Sequence, residues 1–151
     1  MMTFYRAVMA CVSVCLVLAS GVAMGDEPSV DPCTLVSNAD VEQVIGTLKG
    51  TPTSVREEQT RFCNYEFANE KDALELWVFP ASGLERARKL HKDLSPVTGL
   101  GHDAFMRRNK EIQYIELFVK KGDVTLEVTM KEAPGDEEKV KTLAKKALTR
   151  L

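Results

Sequence analysis

Apolar residues recur along this chain in three rhythms, and each rhythm names a different kind of segment. From Ala7 to Met24 they run almost without a break, interrupted by Ser13, Ser20 and Gly21. Beyond Asp26 the run gives way to period-two alternation in some stretches and to helical spacing in others. These are the signatures of strands with one covered face and of helices with one apolar stripe.

The alternating stretches come in groups. Cys63, Tyr65 and Phe67 oppose Asn64 and Glu66, and after a turn at Asn69–Asp72, Leu74, Leu76 and Val78 oppose Glu75, Trp77 and Phe79, up to Pro80. Proline ends a strand because it cannot donate to the ladder. A second group begins near Ala104-Phe105-Met106, before a polar turn at Arg107-Arg-Asn-Lys110. It continues with Ile115, Leu117 and Val119 against Tyr114, Glu116 and Phe118, then with Val124, Leu126, Val128 and Met130 against Thr125, Glu127, Thr129 and Lys131. Lys120-Lys-Gly-Asp123 between the last two is a hairpin turn. Pro52 to Glu57 reads as a further short edge strand, and Gly99-Leu-Gly101 as a tight loop.

Three stretches carry helical spacing. Ser37 and Asp40 form a capping box, Val36 and Val41 a hydrophobic staple, and Val41, Val44, Ile45 and Leu48 the stripe, with Gly46 as the stop. Ser82 and Glu85 form a second capping-box pair, ahead of Leu84, Ala87, Leu90, His91 and Leu94, and this helix ends before Pro96. The last helix has Asp136, Glu137 and Glu138 at its positive end and Lys145, Lys146 and Arg150 toward its negative end. Its stripe is Val140, Leu143, Ala144, Ala147, Leu148 and Leu151.

The order is helix, two or three strands, helix, three strands, helix. Short connections imply antiparallel pairing, so the expected fold is α+β, an antiparallel sheet of about five strands with the helices covering one face. The covered face is the aliphatic one. The other face carries Trp77, Phe79, Tyr114 and Phe118 interleaved with Glu75, Glu116 and Glu127. Partly exposed aromatics are a candidate binding face, and Trp77, Phe79, Tyr114 and Phe118 are the residues assigned to it.

The first rhythm changes how the cysteines are read. Arg6 is the only charge before Asp26, the apolar run follows it, and Ala23-Met24-Gly25 provides a small-x-small end. This is the pattern of a cleaved secretory signal over residues 1–25, leaving residues 26–151 as a single domain. Retention of the segment as a membrane anchor is the alternative. Val8-Met9-Ala10-Cys11 loosely matches a lipobox, but the apolar run continues past Cys11. No spanning run follows Met24, so no membrane span is expected after cleavage. The expected location is periplasmic or extracellular, where the two remaining cysteines, Cys33 and Cys63, should join as a structural disulfide. A redox pair would use Cys-x-x-Cys, which is absent.

Composition narrows the chemistry. Arg6 is the one basic residue of 20 outside the mature part, which keeps all 22 acidic residues. Charges are interspersed, so no nucleic-acid footprint is expected. Two histidines, His91 and His102, are too few for a zinc site, and no cofactor or metal is expected. His102-Asp103 is an acid–base pair without a nucleophile in a recognisable setting, and Gly99-Leu-Gly101 lacks the rest of a phosphate loop.

Asp31-Pro-Cys-Thr-Leu, the Ser37-Asn-Ala-Asp-Val-Glu helix start, Ile45-Gly46, Cys63-Asn-Tyr, Gly99-Leu-Gly-His-Asp-Ala-Phe105 and Val119-Lys-Lys-Gly stand in that order, before an Ala/Leu-rich final helix. In this the chain resembles the small secreted α+β domain of unknown function found in bacterial, chiefly actinobacterial, lipoproteins. The resemblance implies an envelope domain and brings no catalytic residues. The expected function is a non-enzymatic exported binding domain whose partner is an envelope protein or a small ligand. The alternatives are a secreted inhibitor of another protein and a small hydrolase or lyase using His102-Asp103.

Overall fold

A computed structural model describes residues 29–58, 60–101 and 103–151. Residues 1–25, expected to be a signal segment, and His102 lie outside the described residues. The chain begins with a short 3-10 helix, Pro32–Thr34, whose turn is closed by the Asp31 carboxylate accepting from Cys33 N at 3.0 Å. Helix α1 follows at Asn38–Val44, capped by Ser37 Oγ accepting from Asp40 N at 3.2 Å. Val36 and Val41 are both buried beside the cap, as a hydrophobic staple requires.

Strands β1 (Thr53–Glu57), β2 (Thr60–Glu66) and β3 (Ala73–Pro80) form a meander. Helix α2 (Ser82–Leu90) then leads to the two-residue β4 (Ser95–Pro96), and β5 (Asp103–Asn109), β6 (Tyr114–Lys121) and β7 (Val124–Lys131) form a second meander. Helix α3 (Asp136–Leu148) closes the described chain. Strand β7 pairs with β3 and joins the two meanders into one antiparallel sheet of seven strands, ordered β1-β2-β3-β7-β6-β5-β4.

The first face of the sheet holds the main core. Leu74, Leu76 and Val78 of β3, Ile115, Leu117 and Val119 of β6, and Leu126, Val128 and Met130 of β7 all point into it, as their alternation predicted. Val41 of α1 and Val140, Leu143, Ala144 and Ala147 of α3 cover them. Cys63, Tyr65 and Phe67 face the same core, and Cys63 is bonded to Cys33 across 4.9 Å between Cα atoms. The bond ties the 3-10 helix to β2. Lys146 Nζ donates to Asp40 Oδ1 at 2.7 Å and joins α3 to α1.

Four expectations are corrected. The sheet has seven strands because β4 exists as well as β1, and two residues show no alternation to read. Arg107-Arg-Asn109 continues β5 instead of turning, because Arg107 pairs across the ladder with Glu116. Helix α2 stops at Leu90, so Leu94 lies beyond it, and Ser82 is not its cap. Most consequentially, the helices do not share one face. Leu84 and Ala87 of α2 pack with Phe118, Phe105 and Leu94 in a separate cluster on the second face.

Topology explains that placement. The connection from β3 to β5 must pass over β7 and β6, and the first face is already filled by α1 and α3. Thr125 of β7 fastens α2 to the second face: its hydroxyl accepts from Leu84 N and donates to the Ala81 carbonyl, each at 3.2 Å. Gly83 permits the approach. A Cβ there would stand 2.9 Å from Phe79 Cβ.

Candidate functional site

Because α2 covers only part of the second face, the rest is left open over β2, β3 and β7. The register sets its central row. Phe62 pairs with Trp77, Trp77 with Glu127, Glu127 with Phe118, and Phe118 with Phe105. The neighbouring row is Asn64, Glu75, Thr129, Glu116 and Arg107. The open part of the face is therefore aromatic and acidic.

Trp77, Phe79 and Tyr114 are half-buried on this face. Phe118 is the exception among the four candidates. It is 5% exposed beneath α2, with the His91 ring 6.3 Å from its own, and it belongs to the small core under the helix. Trp77 is held on three sides. Its ring lies 4.1 Å from that of Phe62 and 6.0 Å from that of Phe79, both stacked, and its indole N–H donates to Glu75 Oε2 at 2.9 Å.

Glu116 and Glu127 are fixed in the same manner. Arg107 Nη1 donates to Glu116 Oε2 at 2.9 Å, and Arg107 Nε donates to Asp93 Oδ1 at 3.2 Å. Thr129 Oγ1 donates to Glu127 Oε1 at 2.8 Å. Burial pushes the Glu127 carboxyl up to about 7; the Thr129 bond opposes this, Glu116 and Glu75 add to it, and Arg107 opposes it more weakly. A carboxyl desolvated between two like neighbours resists ionisation.

Two adjoining depressions occupy this face. A cavity of about 250 Å³ lies beside α2, with Phe79, Phe118, Glu116 and Glu127 below and Arg86 and Leu90 above. An open groove of about 490 Å³ continues from it, lined by Glu75, Trp77, Tyr114, Thr129 and Ile112 and sharing Phe79, Glu116 and Glu127 with the cavity. Leu90 and Ile112 are the large exposed apolar side chains of the described residues, at 69% and 57%, and each stands on the rim of one depression. Another depression, of about 560 Å³, follows the β5 edge past Arg107 and Arg108, but Arg108 is already paired with Glu132 and Glu137.

Sequence reasoning missed Phe62, Ile112 and the role of Thr129. The pairing Phe62–Trp77 depends on register, which the alternation of a single strand does not reveal. Asp103, half of the His102-Asp103 candidate, has its carboxylate against Arg88 Nη2 at 2.6 Å. Among the described residues no group of three or more His, Cys, Asp or Glu side chains is arranged to hold a metal ion. No helix among them is long and apolar enough to cross a membrane. Comparison with protein-family models, with curated proteins and with solved structures returns no match to this chain.

Proposed function

We propose that this protein is an exported, non-enzymatic binding domain of the bacterial cell envelope, and that its ligand seats on the open half of the second sheet face. The observation that carries the reading is the Phe62–Trp77–Phe79 stack, left half-buried beside a groove whose carboxylates are each oriented by a hydrogen bond. An aromatic ladder this large is ordinarily covered in a domain that binds nothing. The Cys33–Cys63 bond supports export, since such bonds persist in oxidising compartments. The order of short motifs from Asp31 to Gly122, read as resembling secreted lipoprotein domains, supports the same location. We favour a small ligand over an envelope protein as partner because this face holds a groove and an adjoining cavity beside α2.

The test is to recover the mature protein from its native envelope and identify co-purifying small molecules by native mass spectrometry, beside Trp77→Ala. A ligand present on the wild type and lost from a folded Trp77→Ala supports the reading. Equal ligand content in both proteins refutes it.

A further inference from the structure

The groove lining has a composition that selects among ligands. It contains three carboxylates, from Glu75, Glu116 and Glu127, and neither lysine nor arginine. Arg107 approaches from β5 and, of these three carboxylates, hydrogen-bonds Glu116, donating to its Oε2, while its Nε donates to Asp93. Among the described residues neither Glu75 nor Glu127 forms a salt bridge or a hydrogen bond with a basic side chain. The bonds that orient them come from the neutral Trp77 indole and Thr129 hydroxyl, and each engages one oxygen. The second oxygen of each carboxylate makes no hydrogen bond among the described residues. Trp77 flanks Glu75 along β3 and Glu127 across the ladder, Phe79 lies one position beyond it on β3, and Ile112 stands on the rim.

We propose that this groove binds a small organic cation, an alkylammonium group on an apolar body, with Glu75 and Glu127 holding the charge and Trp77 and Phe79 taking the body. The inference rests on the reading of this face as the ligand surface and adds the ligand's chemistry. An anion would meet three carboxylates. A neutral ligand would leave Glu127 as crowded by Glu75 and Glu116 as before. An ammonium relieves that crowding, donates to the two oxygens, and gains a cation–aromatic contact at Trp77. A volume of about 490 Å³ suits a small molecule.

The proton balance follows from the groups facing Glu127. These are Glu75 on β3, Glu116 on β6 and Arg107 on β5, with Thr129 on its own strand, and Arg86 of α2 and His91 just past its end around the adjoining cavity. A bound cation favours the ionised Glu127. Uptake near neutral pH therefore releases a proton, and affinity rises from pH 6 to pH 8, on either side of the value of about 7.

The experiment titrates the mature, disulfide-bonded protein by calorimetry and Trp77 fluorescence with phenethylammonium, phenethyl alcohol, hydrocinnamate and a trilysine peptide. The expected result is saturable binding of phenethylammonium alone, tighter at high pH. It should weaken by at least about tenfold in Glu75→Gln and in Glu127→Gln, and Glu127→Gln should lose the pH dependence. Circular dichroism establishes that each variant is folded, and either variant suffices if the other is not. Failure of phenethylammonium to bind overturns the proposal. If the alcohol or the carboxylate binds as well, with loss in Trp77→Ala, the cation assignment falls while the ligand face stands. Trilysine binding more tightly than phenethylammonium assigns the groove to a basic peptide and overturns the small-cation reading. Phenethylammonium binding that is unchanged in Trp77→Ala, Glu75→Gln and Glu127→Gln removes both the cation site and the face.

Discussion

At the residue scale, the second face is decided by how one carboxyl is surrounded. Glu127 sits mid-strand between Trp77 and Phe118, and burial holds its carboxyl near 7 against an ordinary value of 4.5. A carboxyl whose folded value is raised binds more protons folded than unfolded. Its contribution to stability is full below the unfolded value and is lost as pH rises through the folded one, here between about 4.5 and about 7. Glu127→Gln should therefore stabilise the ligand-free protein above neutrality and change little near pH 4.5. Partial exposure to water holds the gain to about 1 kcal/mol, read as a rise in thermal midpoint at pH 8. An unchanged difference between variant and wild type across that range would contradict the stated burial. Trp77 lies one register position away, and Trp77→Ala should weaken ligand binding by more than about 1 kcal/mol while the domain stays folded, as measured by calorimetry.

Among the elements, α2 governs the shape of the site, and a strand residue governs α2. Its own N-cap residue, Ala81, has no side chain that can cap it; Thr125 of β7 does this from beneath, through Leu84 N and the Ala81 carbonyl. Thr125→Val keeps the shape and leaves the Leu84 N–H without its acceptor. Loss of a cap of this kind costs about 1 to 2 kcal/mol. The expected result is a lower chemical-denaturation midpoint and faster hydrogen exchange confined to α2. Gly83→Ala should act in the same direction. The helix-propensity gain of about 1 kcal/mol is offset by overpacking of about 1 to 3 kcal/mol against Phe79 Cβ, 2.9 Å away. The strand alternations and α3 were legible in the sequence because each has a long, regular apolar set. The face taken by α2 was not. Leu84 and Ala87 are its only buried apolar residues, and so short a stripe fits either side of a sheet. Phe118 and Phe105 carried the missing signal: placed by parity on the second face, they required a cover there.

For the whole molecule, the Cys33–Cys63 bond and the β3–β7 pairing are the long-range ties. The bond closes a sequence separation of 30 residues and holds the 3-10 helix against β2. A denatured chain of residues 26–151, which holds no cysteine but these two, should show no free thiol before reduction, and Cys63→Ala should lower stability by about 2 to 5 kcal/mol. Two titratable thiols in unreduced protein would rule the bond out. The amino-acid order alone made legible the α+β class and most of the main core, which follow from local periodicity, and the Cys33–Cys63 pairing, which followed from setting Cys11 and Cys15 apart in the apolar leader. Tertiary structure decided which strands became neighbours, that α2 crossed to the second face, and that Phe118 was covered while Trp77, Phe79 and Tyr114 stayed partly open. The reason is physical: parity assigns each side chain to one of two faces, but what lies over a face depends on where a crossover can pass once α1 and α3 have filled the other.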